Sequence, residues 1–142
     1  MNAVSFFIPG KIKGKDRPKF NSHTVRTYTT EDTMSYENLV KVCYRKAYKD
    51  FMFSQGVPLV MEIIAVFPLM QSYSGVMKRR MAADEIRPTK KPDADNIAKA
   101  ICDGLNLVAY YDDTQIVELC IVKRYENGDL LPGAYVTIRE RG

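Results

Sequence analysis

The run Lys91-Pro92-Asp93-Ala94-Asp95-Asn96, followed by Lys99 and Asp103 and then by Tyr111-Asp112-Asp113, gathers carboxylates and a lysine around one helix start. Oxygen-rich donor sets of this kind suit hard divalent cations such as Mg²⁺. Metal-assisted phosphodiester chemistry is the first hypothesis these residues raise. Each acidic element also has a plainer explanation. Asp93 and Asp95 can serve the positive end of a helix. Asp95, Lys99 and Asp103, at i, i+4 and i+8, can form a solvated ladder of ion pairs worth about 0.2–0.5 kcal/mol each. Asp112-Asp113 suits a polar turn between helix and strand. The chemical reading gains from the combination. If the strand after Asp113 packs beside the helix start, three carboxylates meet, and without a cation they raise one another's pKa values.

The elements that must position these residues follow from local pattern. Pro92 prevents an earlier helix start and Asp93 is a good cap, so a helix is expected over residues 94–107. Ile97, Ala100, Ile101, Gly104, Leu105 and Val108 form its apolar face. Residues 115–125 and 134–139 alternate as strands, and Glu126-Asn127-Gly128-Asp129 signals a hairpin between them. Upstream, residues 3–8 read as a strand with Val4, Phe6 and Ile8 on one face, and a short strand is expected over 25–29. A long helix starts at Thr30 and runs to about Phe53, with a stripe of Tyr36, Val40, Cys43, Ala47 and Phe51, closed by Gly56. Residues 57–67 are apolar on both faces apart from Glu62, the pattern of a central strand. The expected fold is α/β of the α+β kind: a small mixed β-sheet with two main helices packed on it, in one domain spanning residues 1–142.

The acidic segment, Lys-Pro-Asp-Ala-Asp-Asn-Ile-Ala-Lys-Ala-Ile-Cys-Asp-Gly-Leu-Asn from Lys91, then Tyr-Tyr-Asp-Asp-Thr-Gln-Ile-Val-Glu from Tyr110, resembles the RusA family of Holliday junction resolvases. The likeness is strongest from Arg87 to Tyr125 and looser over the opening strand and basic loop. Against the pattern D-x-D-N-x-x-K…D-D, it implies that Asp93, Asp95 and Asp113 are catalytic Mg²⁺-binding carboxylates, with Mn²⁺ as a substitute ion. It implies that Lys99 is an essential basic residue of the same site, and that Asp103 and Asp112 form a secondary acidic pair. It further implies a homodimer acting on branched DNA, the four-way junction, by nicking two opposing strands. The segment from Gly10 to Phe20 is lysine-rich and departs from the Pro-Asn-rich opening of some members.

The net charge of +4 is modest, yet 11 of the 21 Lys and Arg residues lie in two segments. These are Lys11, Lys13, Lys15, Arg17 and Lys19, then Lys78, Arg79, Arg80, Arg87, Lys90 and Lys91. Gly10, Gly14, Gly75 and Pro88 suggest loops through both. Such loops grip phosphates without reading sequence, although solubility alone also explains either run. Tyr73, Tyr28 and Phe20 flank the basic runs, as stacking platforms or as packing anchors. Cys43, Cys102 and Cys120 have no metal-type spacing, and His23 stands alone, which argues against zinc and triad chemistry. The cysteines suit a reducing compartment, and the chain shows neither signal peptide nor membrane-spanning run, so a cytoplasmic protein without membrane contact is expected.

The mechanism expected is hydrolysis of DNA phosphodiesters at a Mg²⁺ ion held by Asp93, Asp95 and Asp113. Two alternatives stay open. One is a non-catalytic protein that holds branched DNA with the same basic loops, and the other is a metal-dependent nuclease acting on flaps or RNA.

Overall fold

In the computed structural model, residues 1–15, 19–21, 26–28 and 31–142 are described. Alternation in the first strand, β1 (Ala3–Pro9), buries Val4, Phe6 and Ile8 and turns their neighbours outward. A two-stranded ribbon follows, β2 (Lys19–Asn21) with β3 (Arg26–Tyr28), then helix α1 (Glu31–Tyr48). Strand β4 (Leu59–Phe67), helix α2 (Gly75–Ala82), helix α3 (Ala94–Leu105), a 3₁₀ turn (Asp113–Gln115), β5 (Ile116–Tyr125) and β6 (Gly133–Glu140) complete the chain. The four long strands form one mixed sheet in the order β1-β6-β4-β5. Strand β6 is antiparallel to both β1 and β4, whereas β5 is parallel to β4. The fold class is therefore the expected mixed α+β, and among the described residues a short third helix, α2, joins the two main ones, α1 and α3.

The register puts residues into rows across the sheet. One row runs Val4, Ile138, Met61, Leu119, the next Phe6, Val136, Ile63, Ile121, and the third Ile8, Ala134, Ala65, Lys123. Helices α1 and α3 cover this face: Tyr44 of α1 meets Phe6 edge-on at 5.4 Å, and Cys102 Sγ of α3 lies 3.7 Å from Met61 Sδ. The two helices approach closely at Gly104, where a Cβ would stand 3.0 Å from Val40 Cβ. The opposite face carries the polar row Ser5, Thr137, Glu62, Cys120. Strand β4, flanked on both sides, is the central strand its doubly apolar pattern implied.

Several expectations are corrected. Residues 126–129 do not join a hairpin: β5 and β6 lie on opposite sides of β4, and the connection between them crosses that strand. A short polar turn signal fixes only local chain reversal, and the buried β4 won both partners. Helix α1 ends at Tyr48, with Lys49 in a left-handed conformation (φ 57°), so Gly56 does not close it. Its stripe is Tyr36, Val40 and Tyr44, with Cys43 half-buried and Ala47 exposed. Helix α3 stops at Leu105, and Leu107 turns left-handed (φ 62°). Lys78, Arg79 and Arg80 lie on α2, not on a loop, because Ser74 caps that helix by accepting from Met77 N at 3.2 Å. The start signal at Thr30, the lone His23 and Arg17 fall outside the described residues. Among the described residues, no helix is long and apolar enough to cross a membrane.

Candidate active site

The start of α3 is built where two segments of chain close on one another. Asp93 occupies the N-cap position after a cis Lys91-Pro92 bond, and its backbone carbonyl accepts from Ile97 N at 3.1 Å. Its carboxylate does not cap the helix; Oδ1 accepts instead from Asn96 Nδ2 at 2.8 Å. Asp93 Oδ atoms, Asp95 and Asn96 thus share a hydrogen-bonded corner, and the Asp93 carboxyl is held below the usual range by its own backbone N–H, by Asp95 and Asn96, and by the charge of Lys123. Gly14 passes against this corner, since a Cβ there would stand 3.0 Å from both Pro92 Cβ and Asn96 Cβ. Lys15 N donates to Asn96 O at 3.0 Å. The first basic segment therefore lies against the helix start, as a phosphate-binding strap needs to.

Beyond the helix, a different set of contacts places Asp112 and Asp113. Gln115 is buried and fully satisfied: its Nε2 donates to Ser54 O at 2.9 Å and Val57 O at 3.1 Å, and its Oε1 accepts from Tyr111 N and Asp112 N. Asn106, just past α3, accepts from Asp113 N at 3.1 Å. These two amides fix the acidic turn against the end of α3. Sequence reasoning missed both, although Gln three residues after Asp112 is the signature of a capping box, and that box is present.

The carboxylates divide by role. Asp112 accepts from Thr114 N at 3.0 Å, which pulls its carboxyl below the usual range and gives it the work of a cap. Asp103 lies 3.3 Å from Lys15 Nζ, which also bonds Glu37. The secondary acidic pair is thus occupied structurally. Asp113 is half-buried, and desolvation, its contact with Asp112 and the charges of Asp112 and Asp103 push its carboxyl up, while Lys99 opposes them. Asp95, Lys99 and Asp113 line one groove of about 310 Å³ with Ala98, Cys102, Ile116 and Leu119, between α3 and the start of β5. Asp93 interacts with Asp95 but does not itself line the groove.

An oxygen-only set of carboxylates, one of them destabilised by neighbouring negative charge, fits a hard divalent cation in chemistry. In this conformation no three Asp, Glu, His or Cys side chains among the described residues stand close enough to hold an ion together.

The basic residues also divide. Arg87 makes a two-point pair with Asp84 (3.0 and 2.9 Å) and Arg80 lies 3.6 Å from Glu85, so both are tied to acids of their own segment. Lys15 is tied as above. Lys11, Arg79, Lys90 and Lys91 are exposed, and Lys13 and Lys78 are half-buried. The side chain of Lys19 lies outside the described residues, as do those of Phe20 and Tyr28.

The chain is 29% identical over 149 residues to a Bacillus subtilis (strain 168) protein described as uncharacterized protein YqaN, an alignment that covers 99% of this chain and 98% of the relative. The family model described as Endodeoxyribonuclease RusA matches residues 9–139, nearly the whole chain, and includes both the D-x-D corner and the acidic turn. The chain belongs to the RusA endodeoxyribonuclease family.

Proposed function

We propose that this protein is a Mg²⁺-dependent, structure-selective endodeoxyribonuclease that resolves four-way DNA junctions by paired nicks. The observation that carries the reading is the groove that Asp95, Lys99 and Asp113 line together, in a chain whose family is endodeoxyribonuclease RusA. Asp93, Asp95 and Asp113 would hold the ion. A bound Mg²⁺ supplies Lewis-acid polarisation of the phosphate and a more acidic water.

The chain's own residues do the remaining work. Lys99, one helical turn beyond Asp95, presents a positive charge where negative charge grows on the phosphate or the leaving oxygen. Asn96 orients the Asp93 carboxylate by donating to it, and Asn106 and Gln115 hold the backbone of the acidic turn in place. Lys11, Lys13, Lys78, Arg79 and Lys91 grip the backbone through charge.

A four-way junction has near two-fold symmetry, which a symmetric dimer matches. Strand β5 supports that assembly. It is an edge strand with β4 on one side only, and it exposes Val117 and Leu119. Pairing of two β5 edges would cover them and bring two grooves together, because Leu119 also lines the groove.

The test is incubation of a labelled four-way junction with the purified protein, with Mg²⁺ or with EDTA, beside the Asp95→Asn variant. Paired symmetric nicks that need both metal and Asp95 are expected. Tight metal-independent binding without nicks would replace the enzyme by a junction-binding module, and preference for flaps or RNA in competition would change the substrate.

A further inference from the structure

Lys123 is the single charged side chain in the three rows that α1 and α3 cover, ending the row Ile8, Ala134, Ala65. An ammonium on an otherwise apolar face is costly to keep unless it has acceptors. Lys123 Nζ donates to Lys90 O at 2.6 Å and lies 5.3 Å from the centre of the Phe67 ring. Lys90 Nζ lies 6.0 Å from that same ring, 5.8 Å from Tyr73 and 6.0 Å from Tyr125, and donates to the Tyr73 hydroxyl at 3.2 Å. Tyr73 stands edge-on to Tyr125 at 6.2 Å, and the two hydroxyls interact.

Two ammonium groups are therefore brought to one aromatic floor, where their hydrogen-bond partners are a carbonyl and a phenol, both neutral, with the Asp93 carboxylate acting on Lys123 through charge alone. Both ammonium groups reach solvent beside this floor, and an anion set between them would take charge-assisted hydrogen bonds from both. The Tyr73 oxygen accepts from Lys90, which leaves its own O–H proton to donate outward. The place is fixed as well. Lys90 precedes Asp93 by three residues, and Lys123 acts through its charge on Asp93, so the cluster adjoins the carboxylate corner.

We propose that Lys90, Lys123 and the Tyr73 hydroxyl form a seat for a DNA backbone phosphate beside the one cleaved in the Asp95–Asp113 groove. The seat rests on the nuclease reading above and adds to it a fixed phosphate contact, distinct from the lysines of the basic strap. It holds the strand in register with the carboxylates, which sets which phosphodiester enters the groove.

The experiment measures binding of a fluorescent four-way junction in EDTA, across 50 to 200 mM salt, for the parent, Lys90→Met, Lys123→Met, the double variant and Tyr73→Phe. Arg139→Met, on the opposite face of the sheet, serves as a charge control. The double variant is expected to lower the salt slope by about 1 relative to the parent. Tyr73→Phe, which keeps the ring, is expected to weaken binding about 2- to 10-fold, the loss of one hydrogen bond. Circular dichroism and melting temperature report folding, and Lys123→Arg, which keeps the charge, is expected to restore the slope if Lys123→Met unfolds the chain. An unchanged slope and affinity in folded variants would overturn the seat, and so would lost cleavage with binding intact, which would make these residues braces of the Asp93 segment. Failure of the nuclease reading shows separately, as a parent that does not cut the junction with Mg²⁺, whatever its binding in EDTA.

Discussion

Lys15 Nζ lies 3.3 Å from the Asp103 carboxylate, so the last acid in the row Asp95, Lys99, Asp103 belongs to the strap that closes over α3 and not to the groove. The same ammonium bonds Glu37 on α1, and one cation therefore ties α1, α3 and the first basic segment together. Hydrogen bonding to Glu37, with Asp103 second among the favourable partners, raises the Lys15 pKa above its ordinary 10.5. A cation raised in this way contributes stability that is fully present below pH 10.5 and is lost as pH climbs through the folded-state value.

Lys15→Met is accordingly expected to lower the melting temperature at neutral pH, by the equivalent of about 0.2–1 kcal/mol for each partly exposed pair. The gap between variant and parent should close as pH rises above 10.5. Asp103→Asn should keep most Mg²⁺-dependent cleavage. Loss of cleavage as complete as that of Asp95→Asn would place Asp103 among the ion's ligands instead.

Asp113 carries the opposite sign. Desolvation and the neighbouring Asp112 and Asp103 raise its pKa, so its ionised form works against folding at neutral pH. Replacing it by the neutral, nearly isosteric Asn should raise the melting temperature in EDTA and leave junction binding intact. Cleavage should fall by more than about 100-fold, beyond the 10–100-fold typical of residues that only support metal ligands. A melting temperature below the parent's in EDTA would show that the Asp113 charge stabilises this turn.

Gln115→Leu keeps much of the side-chain volume and removes four hydrogen bonds at once. The carbonyls of Ser54 and Val57 and the amides of Tyr111 and Asp112 lose their partner. Each such group left unsatisfied in a buried place costs about 1–3 kcal/mol, so thermal unfolding should report a large loss. Hydrogen exchange at Tyr111 and Asp112 should accelerate. Protection at those two amides equal to the parent's would mean that Gln115 is not what holds the acidic turn.

The carboxylate corner was readable because it is local. Pro92 before Asp93, and the three- and four-residue spacing of Ile97, Ala100, Ile101 and Leu105, fix a helix start within a few residues. The central position of β4 was readable because a strand buried on both faces has to be apolar on both. What lay beyond reach depends on distant partners. Whether β5 runs beside β6 or beside β4 is decided by how β4 is covered, and no turn residue at 126–129 encodes that. Gln115 looked like the first residue of a strand because two of its four partners sit on a loop some sixty residues away in sequence. Lys123 carried no signal of its own within the strand, and only the register shows that it shares a face with Ala65 and Ala134.

Strand β5 supplies the last test, through the expected dimer. An edge strand with exposed Val117 and Leu119 is a template for pairing unless charge protects it. Its guard, the 2.6 Å contact of Glu118 with Arg141, points from the other face, on the side of Cys120 and Glu62. Leu119→Lys places a charge on the apolar side of that edge, and it should convert a dimer to a monomer in sedimentation velocity. Asp95 and Asp113 remain, so metal-dependent nicking of single strands should persist, while the two nicks on one junction lose their coupling. A Leu119→Lys protein that stays dimeric would move the interface away from β5 and leave that edge as a rim of the groove.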